Sequence, residues 1–217
     1  MGRPKKLVKE RDKEVTKRKL INAVGEIIKT KGYTGIGVNK VAKQACVSKG
    51  MIYKYFGTLN GLVEEYMKER DYWLVLSTKV NELFINRGEQ TEADLIGSIL
   101  EEEVNFFYSE PEMQNLIHWQ ISESTEFLRS ISNARESMAG DIFQITDNHF
   151  KGSNVNFRAV CALLLGGNYY TILHAVVNGS TVCEIDMNKK TDRQEVIRTI
   201  RQIINWAYLA AQDSKKA

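Results

Sequence analysis

The stretch VNKVAKQACVSKGMIYKYF, from Val38 to Phe56, decides how this chain is read. Val38, Val41, Ala42 and Ala45 follow the i, i+3, i+4, i+7 spacing of one helical face. Cys46-Val47 then breaks the pattern. Ser48 is placed to cap a second short helix that carries Lys49, Met51, Ile52, Tyr53, Lys54 and Tyr55. Two helices joined by a turn of three or four residues form a helix-turn-helix, whose second helix fits the major groove of DNA.

Around this segment the charge is uneven. Residues 1–60 hold fifteen Lys or Arg against four acids, a balance of +11, whereas the rest balances at −8 within a net charge of +3. A basic head on an acidic remainder fits a polyanionic partner for the head alone. Residues 1–14 are expected to be a basic arm carrying Arg3 and Lys5; Gly2-Arg3-Pro4 resembles a short extended core suited to the minor groove, and the plain alternative is a solubilising tail. Residues 15–58 are expected to form the helix-turn-helix domain. Its first helix runs from Val15 to Lys31, and Tyr33, Ile36, Val47, Ile52 and Phe56 are candidate core. Gly57 stops the recognition helix, and Thr58 or Asn60 caps a fourth.

Residues 59–217 read as further helices, so the fold class is all-α. A helix is expected from Glu69 to Asn86, with Trp73, Leu74, Leu76, Val80, Leu83 and Phe84 on its apolar face. Thr91 and Asp94 form a capping box, as do Ser109 with Glu112 and Thr191 with Gln194. A helix from Thr125 to Phe150 follows. Glu101-Glu102-Glu103 reads as a solvated helix face. Val155 to Val177 has the length of a membrane span, but Asn156, Arg158, Asn168 and His174 make it a buried helix instead, and no membrane partner is expected. Three separated cysteines without a CxxC pair indicate neither a disulfide framework nor a metal site. The charged N-terminus resembles no signal peptide, so the expected compartment is the cytoplasm. No nucleophile motif, metal-ligand pair or phosphate-binding glycine loop is present, which argues against an enzyme, and no cofactor is expected.

Between Gly32 and Phe56 the chain resembles the TetR family of transcriptional regulators. The matching residues are Gly32-Tyr33, Val38, Val41-Ala42, Val47-Ser48-Lys49-Gly50 and Ile52-Tyr53-Lys54-Tyr55-Phe56, with Leu62 beyond them. Three positions depart from the family pattern: Cys46 stands in the turn where glycine is usual, Gly37 where Ser or Thr often opens the second helix, and Leu59 where lysine is common. The resemblance implies a helix-turn-helix head and a C-terminal helical bundle for ligand binding and dimerisation.

On that basis the expected DNA-binding residues are Asn39, Lys40, Ser48, Lys49, Gly50, Met51, Tyr53 and Lys54, together with Arg3 and Lys5. Lys49 is placed to donate to a guanine edge and Met51 to touch a thymine methyl, while Tyr53 and Lys54 meet phosphate. The implied effector pocket takes in Trp73, Phe107, Tyr108, His118, Trp119 and Tyr169; the plain alternative for each is a core position. The implied dimer interface, between the last two helices and their copies, takes in Leu164, Leu165, Ile172, Val176, Ile197, Ile200, Ile204 and Tyr208. The expected function is a dimeric regulator, most often a repressor, that binds a palindromic double-stranded operator and is released by a small molecule. The alternative is a DNA-binding protein of the same fold with a nucleoid or division role.

Overall fold

The computed structural model describes residues 5–73, 85–86 and 88–216. Its regular structure is helical: among the described residues the only other pairing is an isolated bridge between Val182 and Ile185. Backbone contacts gather the chain into two compact units, one of residues 1–71 with 115–132, the other of residues 72–114 with 133–217.

The first unit begins with α1 (Lys5–Lys31). This helix starts ten residues before the expected Val15, because nothing after Pro4 breaks it and Lys, Glu and Arg are good helix formers. The segment expected to be an arm is therefore helical from Lys5 onward. Leu20, Ala23, Val24, Ile27 and Ile28 turn one buried stripe inward. After a 3-10 turn (Tyr33–Gly35) come α2 (Val38–Gln44), α3 (Gly50–Phe56) and α4 (Leu59–Arg70). Gly25 lets α1 and α4 approach closely: a Cβ there would lie 2.9 Å from the Tyr66 ring. Of the expected core residues, Tyr33 and Ile52 are buried, whereas Ile36, Val47 and Phe56 are half-buried.

The second part of this unit, residues 115–132, supplies Leu116, Ile117, Leu128 and Ile131 to the core. Trp119 stacks on Tyr33 with ring centroids 4.2 Å apart. Asn115 Nδ2 donates to the Ile28 carbonyl, beside the end of α1, at 3.4 Å.

The second unit is built on α5 (Glu92–Ser109), α8 (Phe157–Asn178) and α9 (Lys190–Ser214), with the later part of α7 (Glu126–Phe150); α6 (Pro111–Ser122) contributes residues to both units. The Thr91–Asp94 capping box forms in full. The other two do not. The Ser109 hydroxyl donates back to the Phe106 carbonyl at 3.1 Å, and α9 starts at Lys190, with Thr191 bonded to the adjacent Asp192. The helix expected from Glu69 is also redrawn. Glu69 and Arg70 end α4, Asp71 is extended, and Leu74, Leu76, Val80, Leu83 and Phe84 lie outside the described residues.

Helix α8 has the length and apolarity of a membrane span, yet only 17% of its most apolar window is buried in the chain. Within the single chain, then, the helix expected to be buried is covered on one side only. Ile172 and Ala175 face inward, while Leu163, Tyr170 and Val177 face out.

Candidate DNA interface and effector site

The turn between α2 and α3 is built without glycine. Cys46 takes φ 54°, in the left-handed region. Its N–H bonds the Lys43 carbonyl at 3.2 Å, and the Val47 N–H reaches the Ala42 carbonyl at 3.0 Å. These paired bonds satisfy the last carbonyls of α2 in a Schellman arrangement, which offsets the roughly 1–2 kcal/mol cost of a left-handed non-glycine residue. The expected capping by Ser48 gives way to a different entry. Helix α3 starts at Gly50 without a side-chain cap, and the Ser48 carbonyl accepts from the Met51 N–H at 3.0 Å. At the far end Gly57, at φ 75°, ends α3, and the Thr58 hydroxyl caps α4 by accepting from the Gly61 N–H at 2.9 Å.

This frame turns α3 so that Ile52 is fully buried. Positions four apart then share a side, Gly50 with Lys54 opposite Ile52 and Lys49 with Tyr53 on the flank between. Ser48, Lys49, Gly50, Tyr53 and Lys54 are all exposed, as are Asn39 and Lys40 at the start of α2. Tyr53 is 52% exposed although it is a large aromatic residue. Met51 is half-buried, on the flank of the face. Tyr55 and Phe56 are half-buried; Lys54 lies over the Tyr55 ring and Lys17 over the Phe56 ring. Arg3 lies outside the described residues, and Lys5 is described as backbone only. The result is an exposed basic surface with a tyrosine hydroxyl and no acidic residue on α2 or α3. Lysine ammonium groups and a phenol on one helix face suit phosphate and base edges.

The six residues expected to line a pocket separate into different settings. Trp73, Phe107 and Tyr169 come together in the second unit. Trp73 Nε1 donates to the Tyr169 hydroxyl at 2.8 Å, and the Phe107 and Tyr169 rings are 4.6 Å apart. Tyr108 instead lies under the Arg193 guanidinium at 3.8 Å. His118 is exposed, and Trp119 belongs to the first unit, where its indole N–H bonds Glu123 at 2.8 Å.

Beside the aromatic group lies a residue assigned to solvent on sequence grounds. Glu103 is 1% exposed. One carboxyl oxygen accepts from Asn168 Nδ2 at 3.5 Å; the other, Oε1, has no hydrogen-bond partner among the described residues. Burial pushes its pKa up to about 8, against a small downward pull from Asn168. The neighbouring Tyr72 hydroxyl donates to the Ile99 carbonyl at 3.0 Å, and burial, then Glu102 and Glu103, raise its pKa. The clue was in the periodicity. Ile96, Ile99, Leu100 and Phe107 mark the buried stripe of α5, and Glu103 lies in phase with it, whereas Glu102 is exposed.

Of the residues expected at a dimer interface, Ile172, Ile200, Ile204 and Tyr208 are buried inside their own chain. Leu164, Leu165 and Ile197 are half-buried, and Val176 is exposed. The outward apolar residues are others on the same helices: Leu163, Tyr170 and Val177 on α8, and Trp206 and Leu209 on α9. Sequence periodicity found the helices but chose the inward stripe, since two opposite apolar faces give the same spacing.

Comparison with known proteins agrees with the geometry of the head. Residues 20–66 match the family described as bacterial regulatory proteins, tetR family. The chain is 29% identical to the HTH-type transcriptional regulator BetI of Vibrio vulnificus (strain YJ016) over 125 residues, 57% of this chain and 62% of that protein, so it spans less than two thirds of its relative's length. Among solved structures, the regulator FadR from Bacillus subtilis, in complex with stearoyl-CoA, superposes with a TM-score of 0.63 at 18% identity, covering 84% of this chain and 96% of that one. NalD, the secondary repressor of the MexAB-OprM multidrug efflux pump in Pseudomonas aeruginosa, superposes at 0.61 with 16% identity, covering 88% and 96%. At these identities the superpositions speak for the fold.

Proposed function

We propose that this chain, a DNA-binding transcriptional regulator of the tetR family, represses its targets as a cytoplasmic homodimer on a palindromic operator and is released by a small molecule. The observation that carries the reading is the outward face of α3, where Lys49, Gly50, Tyr53 and Lys54 stand clear on a buried Ile52 anchor. In the groove, Lys49 reads a base edge, Gly50 allows close approach of the backbone, and Tyr53 and Lys54 fix the register on phosphate. Asn39, Lys40 and Ser48 add contacts at the entry of the motif, Met51 meets a thymine methyl from the flank, and Arg3 and Lys5 extend the basic surface.

Dimerisation is supported by the apolar residues that the single chain leaves uncovered. Leu163 is 78% exposed and Trp206 57%. Added side-chain carbon at Gly166 or Gly167 would meet nothing within 4 Å, so both leave room for a neighbouring helix to approach. A second copy would cover these faces of α8 and α9 and set two heads one DNA turn apart, roughly 34–36 Å. Leu163→Glu is expected to give a monomer by analytical ultracentrifugation, and to weaken operator binding roughly a hundredfold or more because bivalency is abolished. A dimer that survives this change with full affinity would place the interface elsewhere.

Release requires only that the ligand prefer a conformation in which the heads no longer match the half-sites. Trp73, Phe107, Tyr169 and Glu103 are the residues best placed to form its site.

The experiment that tests the function is selection of bound fragments from the source genome, followed by titration of the selected duplex. A few palindromic promoter sites are expected; uniform binding at many dispersed sites would favour the nucleoid or division role. The affinity is expected to fall steeply with salt, with a log–log slope near −0.9 per phosphate contact. An affinity indifferent to salt would contradict a lysine-rich interface.

A further inference from the structure

We propose that the site around Glu103 takes an amine-bearing organic cation with an apolar or aromatic flank, held by the Glu103 carboxylate and by the rings of Trp73, Phe107 and Tyr169. The proposal rests on the effector reading above and adds the chemical class of the ligand. Three observations carry it, all within the second unit.

First, the carboxyl group is built into the helix packing. Glu103 lies one turn before Phe107 on α5, on the buried stripe, and Asn168 of α8 faces it while the adjacent Tyr169 meets Phe107. Second, one oxygen is unsatisfied. Glu103 Oε1 is inaccessible and has no partner among the described residues, and the bond to the other oxygen is long at 3.5 Å. A buried acceptor left open in a close-packed interior marks a place for a donor.

Third, no cation of the described chain answers it. Arg201 on α9 is committed to Glu101 and Ser98, and Arg193 to the Tyr108 ring. The surroundings are aromatic: Trp73 is tied to Tyr169, and Tyr72 lies edge-on to Trp73 with centroids 5.1 Å apart. Aromatic faces are electron-rich and attract ammonium groups, more strongly when water is excluded. An N–H of an ammonium would satisfy Oε1, its charge would favour the ionised over the protonated form of the buried carboxyl group, and its hydrocarbon would pack on the rings. An anionic ligand would oppose that ionisation and gain no such pairing.

The test uses two probes of similar shape, phenethylammonium and 2-phenylethanol, titrated into the full-length protein at neutral pH and followed by calorimetry. Phenethylammonium is expected to bind about tenfold or more tightly than the alcohol, and Glu103→Gln to abolish most of that preference. Glu103→Asp, which keeps the charge on a shorter arm, is expected to retain part of it. Equal binding of the two probes to the unaltered protein, absence of saturable ammonium binding at millimolar concentration, or an undiminished preference in a folded Glu103→Gln would each overturn the proposal. The probes on the unaltered protein suffice if the variants do not fold. Operator release is read in parallel. Release by uncharged or acyl compounds but not by ammonium compounds would overturn the cation assignment and leave the effector reading standing. Glu103-dependent ammonium binding without release would support the site and count against its role as a switch.

Discussion

Replacing Tyr53 and Lys54 together by alanine is expected to lower affinity for operator and non-operator duplexes alike, by on the order of a hundredfold, as measured by fluorescence anisotropy at fixed salt. Both side chains are exposed on α3. A hydrogen bond from a charged donor to phosphate is worth about 1.5–3 kcal/mol, and a dimer would carry each such bond twice. The salt dependence should become shallower by about one unit for each lysine removed from a phosphate. Lys49→Ala should behave differently, changing which base pair is preferred at one position of each half-site while leaving the salt slope nearly intact. A preference profile unaltered in Lys49→Ala would remove that side chain from base reading. The fold should survive these changes, because Ile52, not the exposed face, anchors α3.

The second large effect concerns stability. Glu103→Gln is expected to raise the melting temperature at pH 8 by several degrees and to bring little gain at pH 5. The sign follows from proton counts. The carboxyl group titrates near its ordinary 4.5 in the unfolded chain and near 8 in the folded one. Between these values the folded protein holds a proton that the unfolded chain has released, so its stability falls as pH rises across the window, by up to about 1.4 kcal/mol per pH unit. Below pH 4.5 both states are protonated and the penalty vanishes. Glutamine has the same shape and no charge, so it escapes the penalty; in a chain of this size each ~1 kcal/mol regained adds about 2–4 °C. Thermal melts of both proteins across the range from acid to mildly alkaline pH check this. A variant less stable than the parent at pH 8 would mean that the carboxylate is ionised and paired in the folded protein. A destabilising buried acid is the kind of group retained for function at the expense of stability.

These expectations depend on different amounts of structure. The proposed DNA-binding face is legible in the sequence because a helix-turn-helix is local. Its helix spacing, the break at Cys46-Val47, the stop at Gly57 and the alternation of Ile52 with Lys49, Tyr53 and Lys54 all fall within about one motif's length, and the conformation of each is set mainly by its neighbours. Even the odd residue, Cys46, stands at the position where the family pattern calls for a left-handed glycine, and it adopts that conformation. The Thr91 cap of α5, the Thr58 cap of α4 and the approximate limits of α7 and α8 are local in the same sense.

The rest is decided only where distant segments meet. Periodicity marks Ile172, Ile200, Ile204 and Tyr208 as apolar, but not whether they face the chain's own core or a second copy; burial by neighbouring helices settles that they face inward. Trp119 has the composition of a pocket residue, yet residues 115–132 fold with the head, where it stacks on Tyr33. Glu103 is one of three glutamates in a row, and the packing of Asn168, 65 positions later, separates it from its solvated neighbour Glu102. By itself, then, the sequence determined the helical class, the Thr58 and Thr91 caps and the helix-turn-helix, because those depend on hydrogen bonds and side-chain spacing within a few turns. Tertiary structure decided which apolar stripe is core, which aromatics gather and which carboxyl group is stripped of its water, because burial depends on the whole chain.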